Sequence, residues 1–135
     1  MQYLLNNYIG IPFKEHGDTI AGVDCWGLVR LVYRDLLNIE LPAYHDVYST
    51  CTDRKNINKQ VEKSVSGWLT IGDADRQLLD VVLIKIGKYK CHVGVYGDCG
   101  MIVHAAQDKE AVVAERLNSK KYRDRVEGYY RYNGN

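Results

Sequence analysis

The chain has 135 residues, a formal net charge of +1, 46% apolar residues and 26% charged residues. That is one globular domain over residues 1–135, with enough chain to bury a core of its own. The near-neutral balance gives no electrostatic case for nucleic acid or for a membrane surface as partner, and no apolar run approaches the length of a membrane span.

The first residues lack a positive leader and a long apolar stretch, so no signal peptide is expected. Residues 1–8 suit a short helix with Leu4, Leu5 and Tyr8 on one side. Residues 9–13 are expected to be extended, because Pro12 forces its predecessor out of the helical region. Residues 16–22 form a polar loop whose glycines suit either tight turns or the close approach of a substrate.

From Cys25 the apolar positions Leu28, Val29, Val32 and Leu36 recur at steps of three and four, the period of a helix with one buried face. Asp24 is placed to cap it, Asn38 can take the left-handed backbone that ends a helix, and Pro42 follows. A cysteine in the first turn lies at the positive end of the helix dipole, which favours the thiolate and predicts a lowered pKa. The free N–H groups of that turn suit a developing oxyanion. A small apolar core residue is the other use of cysteine at such a position.

Residues 41–54 show no period and are expected to be irregular. Ile57, Val61, Val65 and Trp68 predict a helix over 56–68, ending near Gly67, and 72–75 reads as a turn. Beyond residue 80 the pattern changes to strands, expected at 81–84, 93–96, 101–105, 111–116 and 127–132. The basic run at 120–125 is interrupted by Asp124 and reads as a solvated turn or short helix. Helices followed by an antiparallel meander make an α+β fold, with N-terminal helices packed on a sheet of about five strands.

The segment 93–105 has the form of a hairpin around Gly97-Asp98-Cys99-Gly100. Centring the turn on Asp98 sets His92 opposite His104, with Gly94, Tyr96 and Ile102 on the same face and Val93, Val95, Met101 and Val103 on the other. A bulge in the turn would change that register. Two chemistries can use these parts. In one, Cys25 attacks an acyl carbon, His92 takes its proton and His104 orients the His92 ring. In the other, Cys91, His92, Cys99 and His104 hold zinc; the spacing disfavours this, because Cys91 and His92 point to opposite sheet faces and no Cys-x-x-Cys pair is present.

Asp24-Cys25-Trp26-Gly27-Leu28-Val29, His92-Val93-Gly94-Val95-Tyr96 and His104-Ala105 resemble, in order, the motifs of the NlpC/P60 cysteine peptidases, in particular a short subgroup encoded among bacteriophage tail genes. The resemblance implies a papain-like fold, with Cys25 as nucleophile, His92 as base, His104 as the residue orienting the base, and no metal or other cofactor. It implies cleavage of peptidoglycan stem peptides, with Asp24 helping to hold the free amine of the stem. Phe13 stands where many members have tyrosine, and Trp26 replaces a common small polar residue; both are candidate substrate contacts and candidate core aromatics. The subgroup implies a virion tail component, partnered by tail-tip or baseplate proteins, that opens the cell wall during DNA entry. A structural tail subunit using the fold as a docking module is the alternative.

Overall fold

One buried carboxylate organises the start of the first helix. In the computed structural model, which describes residues 4–43, 54–65 and 67–133, Asp24 has extended backbone and its Oδ1 accepts from the Gly27 N–H at 2.7 Å. This caps α1 (Cys25–Val32) as its sequence predicts. The helix widens into a π-helical turn over Tyr33–Leu37 and stops at Asn38, which adopts φ 55° and ψ 38°. The stop is at the expected residue, and the widened last turn is not signalled by the apolar period.

The loop expected over 16–22 contains a two-stranded ribbon, β1 (Asp18–Thr19) and β2 (Gly22–Val23). Arg30, a buried cation on α1, ties the ribbon down. Its guanidinium bonds Asp18, the Glu40 carboxylate at 3.0 Å and the Leu41 carbonyl at 2.8 Å, so the charge is compensated on both sides. Residues 44–53, most of the stretch expected to be irregular, and residues 1–3 lie outside the described residues. Of the expected N-terminal helix, a 3₁₀ turn at Asn6–Tyr8 is present.

α2 (Arg54–Val65) buries Ile57 and Val61 against the sheet. It ends before Trp68, whose ring instead meets Tyr33 and Tyr132 at centroid distances of 5.8 and 5.3 Å. The sheet then follows as β3 (Leu69–Ile71), β4 (Val81–Ile86), β5 (Tyr89–Tyr96), β6 (Met101–Ala106), β7 (Ala111–Arg116) and β8 (Val126–Arg131). All pairings are antiparallel, in the order β3-β8-β4-β5-β6-β7. The strand beyond the five expected is β3, three residues at the sheet edge with too few positions to show an alternation.

Both faces of this sheet are covered. Val81, Leu83, Val93, Val95 and Val103 join α1 and α2 in one core, while Val82, Ile84, Tyr96 and Ile102 pack with Leu117, Tyr122 and Tyr129 in a second. This double burial is why residues 81–84 read as an unbroken apolar run. The segment 117–125 is a series of turns, as its charges suggest, but it inserts the buried Tyr122 into the second core.

Gly27 faces the segment crossing the start of α1, and a Cβ there would stand 1.7 Å from the Gly17 carbonyl oxygen. Gly27→Ala must therefore displace backbone and is expected to lower stability by about 2 kcal/mol or more. Urea denaturation measures this, and an unchanged midpoint would show that the two segments are not in contact.

Candidate active site

The hairpin that carries the histidines differs in register from the expectation. Val95 pairs with Val103 and Tyr96 with Ile102, so the turn is centred on Cys99 rather than Asp98. The cause is a longer loop: Asp98, Cys99 and Gly100 all take positive φ, and Gly97 N–H bonds the Met101 carbonyl at 2.9 Å. A slip of two residues leaves every side chain on its expected face. Continuing this register sets Gly94 across from His104 and makes His92 and His104 diagonal neighbours.

The rings meet because Gly94 has no side chain. A Cβ at Gly94 would lie 2.8 Å from the His104 Cβ and 2.6 Å from Ile102 Cδ1. In the space left, His92 Nε2 and His104 Nδ1 are 2.7 Å apart, with the rings edge to face. His104 is buried, and its Nε2 lies 3.0 Å from Glu115 Oε1. The Tyr122 hydroxyl donates to the same carboxylate oxygen at 3.1 Å. Burial pushes the His92 imidazole down to about 3, with His104 and Lys121 adding to the effect and Asp108 opposing it. His104 is lowered too, again chiefly by burial, although Glu115 pulls it back up.

Glu115 and Tyr122 are absent from the sequence-based site. The available signal is the β6–β7 pairing, where Ile102 opposes Glu115 and His104 opposes Val113, so Glu115 shares the histidine face. Sequence shows both strands but no pairing between them.

Cys25 opens α1 and is half-buried. Along β5, the Tyr96 N–H bonds the Asp80 carbonyl on the β4 side, so the N–H groups of Val95 and Val93 aim toward β6. The β5–β6 ladder stops at Val95 and Val103, and the Val93 N–H is one of the groups that favour the Cys25 thiolate. Cys25 packs against the first core, where α1 meets β5.

The expected depression of the Cys25 pKa is not found. Burial first, then the Asp24 carboxylate, push the thiol up to about 12; Cys91 adds to this, and the N–H groups of Val93 and Trp26 oppose it. Asp24 is itself buried, with its second oxygen accepting from the His16 N–H at 2.9 Å. Trp26 lies in the core, its indole N–H donated to the Pro42 carbonyl at 2.7 Å. Phe13 is half-buried and bridges to Val23 beside the ribbon. Among the zinc candidates, Cys91 is buried in the first core and Cys99 is exposed at the hairpin tip. Among the described residues, no three His, Cys, Asp or Glu side chains are grouped to hold a metal.

Comparison with known proteins places this geometry in a family. Residues 10–131 match the model of the NlpC/P60 family, and the chain belongs to it. It is 25% identical over 105 residues to the murein DD-endopeptidase MepS/murein LD-carboxypeptidase of Escherichia coli, covering 78% of this chain and 47% of that protein. The chain spans about half the length of these curated relatives. An NLP/P60 family protein of Staphylococcus aureus, described as similar to lipoprotein, has the same fold with TM-score 0.70 at 22% identity, over 99% of this chain and 41% of that one. An NlpC/P60 family protein of Bacillus cereus gives TM-score 0.71 at 20% identity, over 96% and 39%.

With the Cys25 thiol pKa raised and the His92 imidazole pKa lowered, both groups rest neutral at physiological pH. Alkylation of Cys25 by iodoacetamide, followed by peptide mass mapping to separate it from exposed Cys99, is therefore expected to be slow at pH 7 and to rise through the alkaline range. Fast alkylation that is independent of pH between 5 and 8 would show a resting thiolate.

Proposed function

From its membership of the NlpC/P60 family and the seating of Cys25, we propose that this domain is a thiol hydrolase acting on an amide of peptidoglycan stem peptides. The observation that carries the proposal is His92, whose Nε2 is engaged by His104 Nδ1 at 2.7 Å and whose strand packs against α1, the helix that Cys25 opens. The murein endopeptidase named among its relatives supports the substrate class.

In the proposed reaction the Cys25 proton passes to His92 as the sulfur attacks the carbonyl carbon. Neither charge is favoured alone in this site, and forming them together lets each stabilise the other. The resulting oxyanion is stabilised by backbone N–H groups at the start of α1. His92 then protonates the leaving amine, and the C–N bond breaks to give a thioester and a free amine. Water, giving its proton to His92, attacks the thioester and releases the carboxylic acid. The thiolate recovers its proton from His92. His104 orients the His92 ring throughout. Asp24, fixed by two backbone donors beside the sulfur, favours a stem peptide with a free amine. Phe13 offers an apolar contact from the ribbon side, and Trp26 backs the helix start.

The finer assignment, a virion tail component that opens the wall during DNA entry alongside tail-tip or baseplate partners, rests on the resemblance of the motifs to the tail-associated subgroup. Mass spectrometry of purified phage particles tests it: presence of the chain in the tail supports it, and absence overturns it.

Cys25→Ala is expected to abolish release of fragments from purified peptidoglycan sacculi while the melting temperature and circular dichroism remain those of the wild type. Hydrolysis by the variant at the wild-type rate would overturn the proposed nucleophile. No release by the wild-type protein itself, over the same preparation, would favour the docking-module alternative.

A further inference from the structure

We propose that Glu115 is a positioning residue that sets the proton on His104 and, through it, leaves the correct nitrogen of His92 bare for the thiol. This rests on the assignment of Cys25, His92 and His104 as the reacting and orienting groups. A neutral imidazole has one N–H and one bare nitrogen, and nothing in a ring by itself decides which is which. A chain of two imidazoles ending in a fixed acceptor has only one fully bonded arrangement.

The acceptor is Glu115. Its Oε1, 3.0 Å from His104 Nε2, cannot donate as a carboxylate, so that nitrogen carries the proton. His104 Nδ1 is then bare and accepts across the 2.7 Å contact from His92 Nε2–H. His92 Nδ1 remains as the lone pair that takes the Cys25 proton. The reverse arrangement would point the bare His104 Nε2 at the carboxylate, acceptor against acceptor in a buried site, where an unmade hydrogen bond is costly.

The surroundings of Glu115 hold the carboxylate in place. The Tyr122 hydroxyl donates to Oε1, and stands 3.5 Å from His104 Nε2, too far to displace the carboxylate as its partner. Lys121 Nζ lies 3.9 Å from Oε2 and also pairs with Asp108 at 3.3 Å, so the charges facing the carboxylate are Lys121 and, beyond it, Asp108. The β6–β7 ladder fixes Glu115 on the histidine face through its pairing with Ile102.

The test is the tautomer, read from long-range proton–nitrogen correlations of the imidazole rings in the wild-type, Glu115→Leu and Glu115→Gln proteins. The wild type is expected to show Nε2–H for both His92 and His104. Glu115→Leu is expected to populate Nδ1–H on His104 and to slow muropeptide cleavage on the order of tenfold or more, with little change in KM. Glu115→Gln, whose amide oxygen still accepts, is expected to restore the Nε2–H form and most of the rate. An Nδ1–H His104 in the wild type overturns the proposal even if the leucine variant fails to fold. So does a slower leucine variant with unchanged tautomers, because its loss would then be structural. Wild-type cleavage by Cys25→Ala defeats the assignment of the nucleophile instead, while the spectra still judge Glu115.

Discussion

The hydrogen bond between His92 and His104 is the constraint around which this half of the molecule is arranged. Two imidazole nitrogens 2.7 Å apart must share a single proton, so one ring donates and the other accepts. A second proton between them would set two like charges against each other in a site that already disfavours one. Each feature nearby serves that contact. Gly94 removes the side chain that would separate the rings, the hairpin register makes them diagonal neighbours, and Glu115 supplies the acceptor at the end of the chain. The second core, built on Tyr96, Ile102 and Tyr122, closes over the same face.

The helix that carries the sulfur packs on the strand that carries His92. β5 is paired along its length with β4, whereas its ladder to β6 is short, and the Val93 N–H favours the Cys25 thiolate. The cap on α1, the ribbon clamped by Arg30 and the close pass of Gly17 over Gly27 together hold the first helical residue at that point. The Cys25 pKa shows which force dominates there. A helix N-terminus favours an anion by about 0.3–1 kcal/mol at an exposed site. Removing a thiolate from water and placing it beside Asp24 works in the opposite direction and prevails. In the proposed reaction the helix end contributes position and hydrogen-bond donors, and the charge appears only as the proton moves to His92.

Much of this was legible in the chain. Asp24, Asn38 and the apolar steps between them mark α1 almost to the residue, because capping and left-handed stops are local chemistry. The alternation around 92–104 places both histidines on one face, since an even slip in register preserves faces. What was hidden depends on tertiary context. The length of the hairpin loop is decided by three residues with positive φ, two of them Asp98 and Cys99, for which no sequence signal is strong. Glu115 looks like an ordinary edge-strand acid until β7 is paired with β6, and Tyr122 looks like part of a solvated basic run. The raised thiol pKa requires knowing what covers the sulfur.

A titration of the two assigned imidazoles by NMR tests this account most directly. The neutral, proton-sharing pair predicts that His92 keeps the chemical shifts of an uncharged ring from pH 8 down to about 5, because burial and its neighbour hold its pKa far below the ordinary range. A His92 midpoint near the ordinary 6.5 would contradict it, since the ring would then be solvated and free of the contact on which the site is built.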